Sequence, residues 1–122
     1  MAKSRQTKLA NDILKLLNQE IAIDEPENLF LNFSDEFYRA VVKCIDPSYT
    51  YSTAASKADT MKIIIELLDN ISGKDLDINL ADAIIIQNDG ASNIFLLEFM
   101  LDLVRNRIAE GKLVIPEYNI LN

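Results

Sequence analysis

Apolar residues recur at helical spacing along most of the chain. Leu9, Ile13, Leu16, Leu17 and Ile21 form one stripe, with Lys8, Asp12, Lys15, Asn18 and Gln19 facing outward, which predicts a first amphipathic helix capped by Thr7 or Ser4. Pro26 disfavours helical geometry in the residue before it, so Ala22 to Asn28 is expected to be a loop. Leu29 to Phe33 reads as a short helical turn, followed by a helix capped by Ser34 or Asn32. That helix turns Phe37, Ala40, Val41 and Cys44 inward and carries Asp35 and Glu36 in its first turn. Ile45-Asp-Pro47 ends it. Ser48 to Ser56 lacks a period and is expected to be the longest loop.

Ser56-Lys-Ala-Asp59 fits a capping box, and Ala58, Met61, Ile64, Ile65, Leu68 and Ile71 follow at helical spacing. The pattern predicts a helix from about Lys57 to Ile71, closed by Gly73. A short helix from Leu80 to about Ile86, capped by Asn79, precedes the turn signal Gln87-Asn-Asp-Gly90. Ser92 or Gly90 then opens a final helix that Gly111 terminates. Its positions Ile94, Leu97, Leu101, Val104 and Ile108 are apolar, and Phe95, Leu96, Phe99, Met100 and Leu103 fill the flanks, so the apolar arc extends nearly all the way round. Such a helix is expected to be surrounded by the others. The stretch from Ile94 to Val104 rises only about 16 Å and is interrupted by Glu98 and Asp102, too short and too charged to span a bilayer.

With 122 residues the chain is expected to form one domain over 1–112. The tail 113–122 either packs on that domain or leads into further sequence. The single cysteine, Cys44, excludes an internal disulfide and is expected to be a packed core residue. The absence of histidine excludes imidazole catalysis and argues against a transition-metal site. Met-Ala-Lys-Ser-Arg-Gln-Thr-Lys at the start is basic and polar rather than apolar, which predicts an intracellular protein without a secretory signal. The formal net charge of −7 disfavours nucleic acid and anionic membranes as partners. Two local basic clusters run against that average: Lys3, Arg5 and Lys8 at one end, and Arg105, Arg107 and Lys112 beyond the core of the last helix. They read either as candidate partner-binding residues or as a solvated tail and cations complementing a helix C-terminus.

Three stretches invite a chemical reading. Asp75, Asp77 and Asn79 open like an EF-hand calcium loop, but Leu80 stands where such a loop needs glycine and Ile86 where it needs glutamate. The same aspartates lack a partner for general acid–base work. Asn88-Asp-Gly90 before a helix resembles a phosphate cradle only loosely, since it has one glycine and Asp89 repels an anion. No catalytic, cofactor or metal residue is assigned. The large apolar residues of the Leu113 to Leu121 tail allow its packing onto a second copy as a further possibility.

The order of elements resembles the calponin-homology fold, an all-α domain in which a buried central helix, here near residues 92–110, follows a short helix and a turn. More specifically, Asp82-Ala-Ile-Ile-Ile-Gln-Asn-Asp-Gly-Ala-Ser-Asn-Ile-Phe-Leu-Leu-Glu-Phe resembles the Ile-x-x-Gly-Asp-x-x-Ser-Ile-x-Asn-Leu-Leu-Glu stretch of the ninety-five-kilodalton centrosomal coiled-coil protein family, whose N-terminal domain is of the divergent NN-CH type. Leu9-Ala-Asn-Asp-Ile-Leu resembles that family's opening helix and Lys57 to Leu68 its middle one. The resemblance implies a non-enzymatic adaptor: a globular head on a coiled-coil protein of the cytoskeleton, at centrosome, basal body or cilium, that binds another protein and associates with itself through an adjoining coiled coil. It implies as the alternative direct binding of tubulin through the small basic clusters. Ile84, Ile86, Asp89, Ser92, Asn93, Leu96, Leu97 and Glu98 carry the motif and are expected to serve packing, turn and capping.

Overall fold

The structure, a computed structural model, describes residues 5–20, 23, 27–50, 52 and 54–121, and of 27–33 the backbone alone. Among the described residues there are five α-helices and no strand: α1 (Arg5–Leu16), α2 (Glu27–Ile45), α3 (Lys57–Ser72), α4 (Leu80–Ile85) and α5 (Gly90–Ala109). The domain is all-α.

α1 buries Leu9 and Ile13, and Leu17 just beyond it, as the stripe predicts, but Leu14, outside the stripe, is buried in place of Leu16, which is half-buried; Ile21 and the alternative cap Ser4 lie outside the described residues. Thr7 does not cap. It sits inside the helix and is fully buried, because the first turn already includes Arg5. The helix ends where Asn18 turns left-handed (φ 58°), so that Gln19 N–H reaches Leu14 O at 2.9 Å and Asn18 N–H reaches Lys15 O at 3.0 Å.

α2 departs most from expectation. The backbone is one continuous helix from Glu27, with no break before Ser34. No glycine or proline occurs between Pro26 and Pro47, so nothing interrupts the helix once begun, and a residue suited to capping does not start a new one inside it. Ser34 and Asp35, expected at the cap and in the first turn, therefore lie mid-helix and buried. Of the expected loop 22–28, residues 27 and 28 are helical, and Ala22 and residues 24–26 lie outside the described residues. Cys44 is buried and free, and burial pushes its thiol up.

α3 follows its signals closely. Ser56 Oγ accepts from Asp59 N–H at 3.1 Å, and Gly73 at φ 69° donates to Asp69 O at 2.9 Å. Ile64 and Ile65 are buried while Ile63 is exposed, as a helix and not a strand distributes them. Ser56→Ala removes the cap acceptor and is expected to cost about 1 kcal/mol, read as a lower denaturation midpoint with unchanged slope. At α4, Asn79 occupies the cap position but makes no side-chain cap bond; Asp77 Oδ1 instead accepts from Asn79 N–H at 2.9 Å. At α5 the cap is neither Ser92 nor Gly90 but Asp89, whose carboxylate accepts from Ala91 N–H at 3.2 Å and from Ser92 Oγ at 2.8 Å.

α5 packs most extensively against α1 and also meets α4 and α2, while α3 packs on α4 and α2. Asn93, Leu96, Leu97, Met100, Leu101, Leu103 and Val104 are buried along it. The expected enclosure on every side is narrower in fact: Phe95, Glu98, Asp102 and Arg105 form an exposed stripe at helical spacing, with Phe95 at 55% exposure. Three of those four positions are charged, which fixes the open side of the helix.

Candidate functional site

The two basic clusters occupy different parts of the domain, and the described cations in them have intramolecular partners. Lys3 lies outside the described residues. Arg5, at the start of α1, meets Glu98 of α5: Nη2 and Nε donate to Oε1 at 3.0 and 3.3 Å. Lys8 pairs with Asp12 at 3.6 Å one turn on. At the far end of α5, Arg105 lies 3.8 Å from Asp102 and Lys112 lies 3.3 Å from Glu110. Arg107 Nη2 donates to Ile71 O at 3.1 Å, where the carbonyl end of α3 is electronegative. Arg5 stands level with Glu98, and Arg105 follows about 10 Å farther along the helix axis, so no single continuous patch unites the clusters.

The second cluster borders a depression of about 260 Å³ between the last turns of α3 and α5, where Arg107 and Lys112 are joined by Lys74, Asp102 and Glu110. Lys74 Nζ sits 6.0 Å from the centre of the Phe99 ring. Cations outnumber acids there by one, on a chain whose overall charge is negative.

The motif residues divide by role. Ile84, Leu96 and Leu97 are fully buried, Asp89 and Ser92 build the cap, and Glu98 holds Arg5. Ile86 is not a packing residue, being 66% exposed beyond the end of α4. Asn93 joins three helices in the interior. Its Oδ1 accepts from Tyr38 OH of α2 at 2.6 Å, and its Nδ2 donates to Gln6 Oε1 of α1 at 2.7 Å. All three side chains are fully buried, so these bonds are made without competing water.

Burial raises the Tyr38 phenol well above its ordinary value. A folded-state pKa above the unfolded one means that the folded protein holds this proton longer, so its contribution is complete below about pH 10 and is lost as pH rises beyond that. Urea midpoints measured from pH 8 to 11 should fall at the alkaline end, and Tyr38→Phe should flatten that fall.

Among the described residues no group of three or more His, Cys, Asp or Glu side chains is placed to hold a metal ion. Asp75 and Asp77 are both exposed, with Asp77 engaged at the start of α4. At the start of α5 the Asp89 carboxylate takes the place an anion would need. Two larger depressions flank the tail: one of about 510 Å³ between it and α2, the other of about 720 Å³ beside Gln19. Tyr49 lines the first and is buried, although it lies in the loop after α2; Lys43 Nζ fastens that loop by donating to Pro47 O and Tyr49 O at 2.8 Å each.

Comparison with protein-family models, with curated proteins and with solved structures finds no match to this chain.

Proposed function

We propose that this chain is a non-enzymatic recognition domain, the calponin-homology-like head of a centrosomal, basal-body or ciliary coiled-coil protein, and that it binds another protein of that structure. The observation that carries the reading is the division of the surface. The described cations of both basic clusters are engaged within the chain, whereas Ile86, Phe95, Val114 and Tyr118 stand exposed as large uncharged side chains. Protein partners are recognised through such residues more than through charges already paired. The helical order, the structural roles of Asp89, Ser92 and Asn93 in the first turn of α5, and that of Glu98 two turns further on, support the family part of the reading. Among the described residues no helix is long and apolar enough to cross a membrane. The test is crosslinking with mass spectrometry in extract of ciliated cells: centriolar or axonemal proteins are expected among the crosslinked partners, and recovery of none contradicts the reading.

Direct tubulin binding is the second reading, favoured by the gathering of Lys74, Arg107 and Lys112 around one depression. Its electrostatic attraction is reduced by the neighbouring carboxylates and by the net charge of −7. Cosedimentation with microtubules at low salt separates the two. The adaptor reading predicts little binding. Binding that is abolished by charge reversal at Arg105, Arg107 and Lys112 favours the tubulin reading, and binding that survives this change and a separate reversal at Lys3, Arg5 and Lys8 removes the proposed surface.

A further inference from the structure

Residues 113–121 follow the left-handed turn at Gly111 (φ 69°) and form no regular helix or strand, yet they lie back on the domain as a strap. Leu113 is buried, and Ile115, Ile120 and Leu121 pack half-buried on the core. Gln19, just past α1, holds the main chain: Nε2 donates to Tyr118 O at 3.1 Å, and Oε1 accepts from Ile120 N–H at 3.0 Å. The strap is bent at 117–118 and turned at 120–121, and it helps to hold that turn itself, since Asn119 Oδ1 accepts from Leu121 N–H at 3.0 Å. The segment that fits this seat is therefore the strap's own sequence. It is seated more loosely than the core helices, because depressions of about 510 and 720 Å³ flank it. Its hinge is a glycine at which an added Cβ meets nothing within 4 Å, so the residue is required for its backbone angle alone. Opening the hinge breaks two main-chain bonds, Gly111 N–H to Ile108 O at 3.0 Å and Lys112 N–H to Arg107 O at 2.9 Å. Val114, three residues on, is 86% exposed, more than any other large apolar side chain among the described residues. Glu110 and Lys112, 3.3 Å apart at the same place, are of opposite sign, so two hinges brought side by side meet without local charge repulsion.

We propose that two copies of this chain exchange straps: residues 113–121 of each take the seat of the other, Gly111 opens, and the two Val114 side chains cover one another beside the hinge. The bends at 117–118 and 120–121 are kept, and Gln19, Ala40 and Tyr49 receive from the second copy the residues they hold in the first. Since the seat loses no contact, exchange changes only the hinge and the newly apposed surface next to it, which makes it a low-cost route to a dimer. The exchange concerns copies of this chain alone and does not depend on which other protein the domain binds.

The test compares Gly111→Ala with Gly73→Ala in the full chain. Gly73 has the same φ of 69° and the same open space around an added Cβ, but it closes α3 and no strap follows it. Neither substitution touches the core, so both variants fold, and each penalises its left-handed turn alike. Only at Gly111 does exchange relieve that penalty, by about tenfold for each of the two hinges. The dissociation constant of the dimer, read by light scattering over a concentration series, should therefore fall about a hundredfold in Gly111→Ala and stay unchanged in Gly73→Ala. Adding Ile120→Ser and Leu121→Ser to Gly111→Ala should return it to monomer, because the seat then holds the strap poorly from either copy. In a mixture of isotope-labelled and unlabelled Gly111→Ala chains, nuclear Overhauser contacts are expected from Gln19 of one copy to Ile120 of the other. A Gly111→Ala chain that stays monomeric throughout the series overturns the proposal. So does a dimer that lacks the Gln19 to Ile120 contact between copies, is strengthened equally by Gly73→Ala, or survives the Ile120→Ser, Leu121→Ser change.

Discussion

Asn93→Leu is expected to destabilise the domain by about 3 kcal/mol, although leucine has as many side-chain heavy atoms as asparagine and is apolar. The cost lies in the groups left behind. Tyr38 OH loses the 2.6 Å acceptor at Asn93 Oδ1 and keeps only a 3.3 Å approach to Asn93 O, while Gln6 Oε1 loses its 2.7 Å donor. Both groups are fully buried, so water does not replace the lost partner. On a chain of this length that corresponds to a fall of about 10 °C in melting temperature. Tyr38→Phe in the same background removes the stranded hydroxyl and should recover about 1 kcal/mol, an interaction visible only in the double-mutant cycle. Additive losses from the two substitutions would show that the hydroxyl and the amide are not coupled.

Leu97→Ala is the second large effect, expected at about 3 kcal/mol and measured by urea denaturation. Leu97 is fully buried on α5, next to the equally buried Leu96 and one turn before Leu101. The cavity left there has little means of closing, because α1, α2 and α4 all bear on this helix and none shifts without disturbing its other contacts. Phe95→Ala, two residues earlier on the exposed stripe, is the control: it removes a larger side chain that is already 55% exposed and should cost well under half as much. The contrast measures how far the inward face of α5, and not its overall apolar content, sets stability.

Features governed by neighbours along the chain are legible in the sequence. Ser56 caps α3, Gly73 and Gly111 take left-handed conformations, and the stripe of α1 faces inward because each depends on residues within a turn or two. Features governed by distant residues are not. Asn93 looks like one more turn residue until Tyr38 and Gln6, 55 and 87 positions away, are brought to it. Arg5 reads as a free cation until Glu98, 93 positions away, stands opposite. The continuity of α2 is hidden for a different reason: Ser34 has the chemistry of a cap, and only the absence of any breaker across the segment decides that it lies inside one helix. Tyr49 is buried from a loop with no period to announce it. Its aromatic ring is the one signal the sequence offers, and it is weaker than a helical stripe.

The claim beneath the whole account is that α1, α2 and α5 meet around Asn93. Side-chain amide resonances of Asn93 in a nuclear Overhauser experiment on isotopically labelled full chain test it directly. Cross-peaks from the Asn93 Nδ2 protons to the Gln6 side chain and to the Tyr38 ring are the predicted result. A folded chain in which those protons instead exchange magnetisation with water, and show no contact to residue 6 or 38, contradicts it.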